Sequence, residues 1–443
     1  MDSAILSEMI ETRRRLHQHP EEGWTEFETT WLVYNRLKAL GCESVLTGTR
    51  LINPDCVLGR SEALVEKAVN RAIAAGVPAE FIDEIEGYTG AAAVIDTGRP
   101  GPVLALRFDM DALCVEETTD PEHLPNKQGF CSQYAGLMHA CGHDAHTALG
   151  LAVARWIMEN RERLTGVIKL IFQPAEEGVR GANAIVGSGF VDDVDVILAS
   201  HCGGAIKSKQ IGLVYDGLLA STKFDIRFTG VPSHAGNQPQ AGKNALLAAC
   251  STCLQMAGIP RHGDGATRVS LANSTPAKVA ISHRPTPTSK PKCAVRRRRS
   301  TTFSAAMLNI SSKAMPRPIR FNTSLNAWAK PHDRSLPGHS RSHKGRSAPN
   351  RGCGRRRRTA QTVGQQDYSL MLKRVVERGG RGAMFRWGCR HHGHHKSDFD
   401  IQDTETMPVA SASLRAAFCV LTALSRVRRT ETSSHCSPST PCT

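Results

Sequence analysis

At 443 residues the chain exceeds what one hydrophobic core usually serves, so two domains are expected. No apolar run approaches the roughly 18 residues of a membrane span, Met1 to Glu8 lacks a basic-then-apolar leader pattern, and 14 scattered cysteines point to reduced thiols in the cytoplasm. The net charge of +15 would suggest a polyanion partner, yet residues 271–366 alone hold 15 Arg and 6 Lys against the single acid Asp333; the rest of the chain is mildly acidic, so neither nucleic acid nor a membrane is expected as its partner.

Residues 1–270 read as ordinary α/β sequence. Ile10 to Leu16 and Trp31 to Leu40 have helical periodicity, with Gly41 placed as a C-cap. Residues 61–76 form a further amphipathic helix with Ser61 at its N-cap. Four short apolar runs bounded by Gly, Pro or Asp are predicted strands: Ala91 to Ile95, Pro102 to Phe108, Val167 to Phe172 and Val194 to Ala199. The helix Thr147 to Met158 falls between the second and third, so a mixed or parallel sheet covered on both faces is expected.

The texture then changes. Residues 271–366 are rich in Ser, Thr, Pro and Arg, with four-arginine runs at Arg296–Arg299 and Arg355–Arg358 and no sustained period. The span reads as a disordered basic linker, an arginine-rich nucleic-acid segment, a poorly patterned domain, or an out-of-frame translation of a once ordinary domain. Order returns over 367–409, with a helix Tyr368 to Val376, a strand Ala383 to Gly388 and the polar run His391 to Asp400. Residues 410–443 are again rich in Ser, Thr, Arg and Cys and read as an aberrant or disordered tail.

The chemistry concentrates at strand ends. Met138-His139-Ala140-Cys141-Gly142-His143-Asp144 offers a thiol and an imidazole two residues apart, and Gly142 can adopt the backbone angles that turn both to one point. Pro174-Ala175-Glu176-Glu177-Gly178 follows a strand with adjacent carboxylates, one free to ligate a metal while the other takes a proton from water. His201 ends a further strand, and His391, His392, His394 and His395 form a late cluster. Asp111, just past a strand, can fix the tautomer of a ligand histidine. Each element alone has a plain alternative: a buried thiol with a capping Asp, two exposed loop acids, a structural histidine, adventitious binding. Their succession at strand ends favours one metal site.

These motifs, with Arg13-Arg14-Arg15-Leu16-His17-Gln18-His19-Pro20-Glu21, Glu26, Thr29 and Thr229-Gly230-Val231-Pro232-Ser233-His234-Ala235-Gly236, resemble the amidohydrolase branch of the aminoacylase/carboxypeptidase-type co-catalytic metallopeptidases. The resemblance covers roughly 1–270 and 367–409. It implies an α/β metallohydrolase catalytic domain over 1–220 that resumes over 367–409, with an inserted α+β lid through which protomers dimerise; of that lid the start, 221–270, is recognisable, with a strand over Thr222 to Phe228 and a helix over Lys243 to Met256. It implies two divalent ions, manganese or zinc, with Cys141 as the bridging thiolate and His143, Glu177, His201 and His395 as further ligands. His395 is preferred because the family's ligand histidine stands four residues before a Phe, here Phe399. Glu176 would be the base and then the acid, Asp111 would orient a ligand, and His234 would polarise the scissile carbonyl. The implied substrate is a small acyl-glutamate, aminobenzoyl-glutamate among them, and the implied partner is a homologous second subunit or a second copy. The later part of the lid is not recognisable, so weakened activity is expected. A general N-acyl-amino-acid deacylase and a non-catalytic remnant are the competing readings.

Overall fold

In this computed structural model the described residues are 3–204, 206–214, 222–260, 268–269, 271, 300–309, 324–327 and 366–432. The chain divides into two compact units, one of 1–218 with 336–443 and one of 219–335.

The first unit opens with helices α1 (Ser3–Gln18) and α2 (Phe27–Ala39), then strand β1 (Ser44–Thr47). Helix α1 buries Ile5, Met9 and Leu16 on one stripe, and α2 buries Val33 and Leu37. Gly41, just past the α2 C-cap Leu40, sits at φ +81°, the left-handed value expected after a helix end. Helices α3 (Glu62–Ala74) and α4 (Ala79–Glu84) add a small satellite core around Phe27, Val65, Phe81 and Ile85. Ser61 is the α3 N-cap residue but makes no side-chain capping bond.

Strands β2 (Ala91–Asp96), β3 (Val103–Asp109), β4 (Val167–Gln173), β5 (Val196–Cys202) and β6 (Ile211–Val214) follow, joined in the sheet by the late strand β11 (Arg381–Trp387). The order is β1-β2-β4-β3-β5-β11-β6. The central pairs β4/β3, β3/β5 and β5/β11 are parallel, while β1/β2, β2/β4 and β11/β6 are antiparallel. The sheet is mixed, as expected.

Helix α5 (Leu124–Lys127) is a single turn, and α6 (His143–Glu159) is buried along most of its length on one face of the sheet. At Gly150 an added Cβ would fall 2.7 Å from the rings of Phe108 and Phe172, so the helix lies close on β3 and β4 because that position has no side chain. Helices α7 (Ala182–Gly187) and α9 (Tyr368–Glu377) cover the other face. The Tyr368 hydroxyl lies 3.0 Å from the carbonyls of both Ile197 and Ala383, joining β5 to β11.

The last helix, α10 (Asp403–Thr432), corrects the expectation of an aberrant tail from residue 410. Ala410, Leu414 and Phe418 recur every fourth residue and are buried in the same core as α6. The Ser, Thr and Arg residues between them hid that stripe. Residues 433–443 lie outside the described residues.

The second unit holds β7 (Thr222–Thr229), α8 (Ala245–Ala257), β8 (Arg268–Val269), β9 (Ser300–Asn309) and β10 (Ser324–Ala327). Its antiparallel sheet has the order β10-β7-β9-β8. Strands β9 and β10 fall inside the basic span 271–366, where their backbones pair with β7 although their mixed Ser, Thr and Ala sequences carry no clear period. Both four-arginine runs lie outside the described residues.

Candidate metal centre

The carboxyl ends of β3, β4 and β5 converge where the chain direction of the connections reverses, the usual place for a site in an open α/β sheet. Asp109 ends β3, and Asp111 stands two residues on. His201 is the penultimate residue of β5. Beyond β4 the chain makes a sharp turn, with Ala175 at φ +50° and Gly178 at φ +85°, and this turn presents Glu176 and Glu177.

Gly142 has φ +83° and starts α6 from the left-handed region. A Cβ there would stand 2.4 Å from Cys202 Sγ. The glycine thus allows both the turn between Cys141 and His143 and the close seat of that turn on β5. On the far side, the His395 N–H donates to the Ala140 carbonyl at 2.8 Å, and His395 is at φ +63°. The two histidine segments are therefore bonded backbone to backbone.

Three groups of donor atoms lie within 4.8 Å of one another: Cys141, Glu177 and His395; His143, Glu176 and Glu177; Asp109, His143, His146 and His201. The His143 Nδ1 lies 3.2 Å from Asp111 Oδ1, leaving its buried Nε2 without a hydrogen-bond partner, 4.0 Å from Glu177 Oε1. His201 Nδ1 donates to the Cys202 carbonyl at 2.8 Å, so its Nε2 lone pair faces Cys141 Sγ at 3.5 Å. His395 Nε2 lies 3.2 Å from Glu177 Oε1. Lone pairs of nitrogen, sulfur and oxygen thus point at shared space, as a divalent zinc or manganese ion requires.

His146 differs. Its Nε2 accepts from the Cys202 N–H at 2.9 Å and its Nδ1 donates to Asp109 Oδ1 at 2.5 Å, so both nitrogens are engaged and it braces the site rather than ligating. Among the late histidines, His392 is exposed and paired with Asp398 at 2.5 Å, while His394 Nδ1 lies 3.6 Å from Cys141 Sγ. The His395 segment therefore brings two histidines to the thiol.

The electrostatics fit a cation. Burial alone would lower His143, but the charges of Asp109 and Cys141 hold it well above the usual imidazole range. His395 is likewise opposed by burial, yet Cys141 and Glu177 push it up to about 11. The donor set facing these two rings is anionic, which favours a cation between them. Glu176 is buried, and burial, then the charges of Asp367 and Glu177, hold its carboxyl well above the ordinary range.

Two further carboxylates shape the turn that carries Glu176. Asp111 accepts from the N–H groups of Glu176 at 3.0 Å and Glu177 at 2.8 Å, as well as bonding His143. Glu26 accepts from the Ala175 N–H at 2.7 Å and from the Thr89 hydroxyl at 2.6 Å. Beneath the turn, Arg107 is fully buried against Asp109 and Asp367, and Asp367 also accepts from Gln173 Nε2 at 2.8 Å and the Ala182 N–H at 2.9 Å. Glu26 stood in the sequence only as part of a motif, and Asp367 had no signal at all.

His234, which the resemblance assigns to the scissile carbonyl, lies in the second unit. Its side chain is exposed, and its Nδ1 accepts from the Gly236 N–H at 3.1 Å.

A thiol, imidazoles and carboxylates gathered at the strand ends of a mixed α/β sheet define a metal-dependent hydrolase. Residues 105–417 match Peptidase family M20/M25/M40, and the chain belongs to that family. It is 38% identical over 426 residues to indole-3-acetyl-aspartic acid hydrolase of Enterobacter agglomerans, and 36% identical over 430 residues to the A-type subunit of p-aminobenzoyl-glutamate hydrolase from Escherichia coli strain K12. Each alignment covers 93% of this chain and 95% of the relative. It is 47% identical over 266 residues to the Haemophilus influenzae homolog of that A-type subunit, covering 60% of this chain and 63% of that protein. The crystal structure of the aminobenzoyl-glutamate utilization protein from Klebsiella pneumoniae superposes with a TM-score of 0.66 at 29% identity, covering 94% of this chain and 96% of that one. Among the described residues no helix is long and apolar enough to cross a membrane.

Proposed function

We propose that this chain hydrolyses the amide bond between an aromatic acyl group and an acidic amino acid, with p-aminobenzoyl-glutamate as substrate and p-aminobenzoate and glutamate as products. The observation that supports the reading is that Cys141 gathers with Glu177 and His395 and faces His201, while Glu176 lies with Glu177 and His143. Cys141, His143, Glu177, His201 and His395 would hold two divalent ions. Zinc or manganese suits this donor set. Such ions, when bound, polarise a carbonyl and make water more acidic.

The rest of the chemistry belongs to the chain. Glu176 does not need to ligate, and it stands beside a residue that does. Its carboxylate takes the proton of the attacking water and returns it to the nitrogen of the departing amino acid. Asp111 fixes both the His143 tautomer and the turn bearing Glu176, so one side chain orients a ligand and the base together. His234 is assigned to the scissile carbonyl, to which its Nε2 would donate.

The substrate class is supported by two relatives of nearly full coverage, whose names join an aromatic acyl group to aspartate or glutamate. One of them is named as one subunit of its enzyme, which supports a homologous partner chain here, with a homodimer as the alternative.

The test is turnover by the purified full chain, loaded with manganese or zinc, of p-aminobenzoyl-glutamate, indole-3-acetyl-aspartate and N-acetylated amino acids. The highest kcat/KM is expected on the first. Reaction with the acetylated amino acids alone would make the chain a general deacylase. Metal binding with no turnover of any would make it a non-catalytic remnant.

A further inference from the structure

The opening motif Arg13-Arg14-Arg15-Leu16-His17 has no part in the chemistry above, yet Arg13 is buried to 1% exposure. Its guanidinium meets three carboxylates. Nε lies 2.8 Å from Asp144 Oδ2, Nη2 donates to Asp400 Oδ1 at 2.8 Å, and Nη1 reaches Asp403 Oδ2 at 3.4 Å. Asp144 is the residue after His143, and its other oxygen accepts from the Ala145 N–H at 2.8 Å in the first turn of α6. Asp400 closes the segment that begins at His395, and its Oδ2 accepts from the Gln402 N–H at 2.9 Å. Asp403 opens α10.

A buried ion cluster is a poor source of net stability, because desolvating the charges offsets their attraction. What a planar guanidinium supplies is direction: Nη2 and Nη1 hydrogen-bond Asp400 and Asp403 from one rigid fork, while Nε, in ion-pair contact with Asp144, holds that carboxylate against the same plane. Here two of the partners lie in the two ligand-bearing segments, the His139–Asp144 turn and the His395–Asp400 run. These segments come from the two parts of the catalytic unit that flank the inserted one. His17 reinforces one arm, with Nδ1 2.8 Å from Asp144 Oδ2 and Nε2 3.0 Å from Glu117 Oε1.

We propose that Arg13 is a positioning residue of the metal centre: its fork holds the His143 turn and the His395 segment in register, so that losing the fork weakens metal binding although no ligand is touched. The proposal rests on the metal centre assigned above. Arg14 supplies the control. It sits on the same helix, and among the described residues its hydrogen bonds go to Asp403, at 2.8 and 3.2 Å, with its guanidinium over the Phe130 ring and no bond to Asp144 or Asp400.

Zinc would be titrated into the metal-free full chain against a chromophoric chelator, for wild type, Arg13→Lys, Asp400→Asn and Arg14→Met, with the melting temperature of each metal-free form measured alongside. Arg13→Lys keeps the charge and loses the fork. It is expected to weaken at least one zinc equivalent by about 10- to 100-fold, the range typical of groups that orient ligands. Asp400→Asn, which leaves two arms of the network in place should the first variant not fold, is expected to weaken zinc in the same direction. Arg14→Met is expected to stay within about twofold. Zinc affinities of Arg13→Lys and Asp400→Asn within twofold of wild type, whatever their melting temperatures, would overturn the proposal and leave Arg13 a structural brace. A wild-type chain that binds no zinc would overturn the metal centre, and this role with it.

Discussion

Glu176 and Glu177 are neighbours in sequence with different surroundings. Glu177 faces His395 at 3.2 Å, whereas Glu176 is sealed in and pressed by Asp367 from below. Glu176→Gln keeps size and hydrogen-bonding while removing the proton acceptor. It is expected to lower kcat by about 10²- to 10⁴-fold with metal content unchanged, checked by steady-state kinetics with metal analysis of the same samples. Asp111→Asn presents an NH₂ group where one oxygen accepts from a backbone N–H. It is expected to weaken metal binding by about 10- to 100-fold, read by chelator competition. A third expectation concerns pH. Burial would raise the Glu117 carboxyl, but hydrogen bonds from His123 and His17 and the backbone N–H of Ser132 hold it down at about 2, below its ordinary 4.5. Its contribution to stability is therefore complete above about pH 4.5 and is lost as pH falls towards 2. In urea unfolding of the metal-free chain, the deficit of Glu117→Gln relative to wild type should be full at neutral pH and shrink across that window. A deficit that stays constant with pH would contradict the assignment. The residues with the largest separations were the least legible. Arg13 meets Asp400 across 387 positions and Arg107 meets Asp367 across 260, and no local pattern announces such a pair.

At the level of elements, the sequence was most readable where burial is one-sided or complete. The apolar runs of β2, β3, β4 and β5 stand between turn residues, and the donors His201, Glu176 and Glu177 follow directly from their ends. Strands β1 and β6, four residues each, are too short to show a period, and β9 and β10 carry little apolar patterning. Helix α10 was hidden by composition. Its buried stripe is sparse, but Phe418 is 1% exposed and meets Trp156 of α6 edge-on at 6.2 Å between centroids. Phe418→Ala is expected to cost about 3–5 kcal/mol, checked by denaturant unfolding of the catalytic unit in the full chain. A cost below about 1 kcal/mol would mean that the helix does not dock as described.

On the scale of the molecule, charge and chemistry are segregated. The basic excess belongs to residues 271–366, and every donor of the metal centre lies outside that span. That separation explains why the net charge of +15 says little about the reaction. It also separates two questions, whether the centre assembles and whether the chain turns over substrate. Family membership and the strand-end convergence answer the first at the level of class, and the proposed substrate depends on the second. The most direct measurement is the initial rate of p-aminobenzoate release from p-aminobenzoyl-glutamate by the full chain, before chelation, after chelation, and after manganese or zinc is restored. The reading of a two-metal amide hydrolase requires activity that vanishes with the metal and returns with it, and that Glu176→Gln does not recover. Release that persists undiminished in the metal-free chain, or that Glu176→Gln leaves intact, would contradict it.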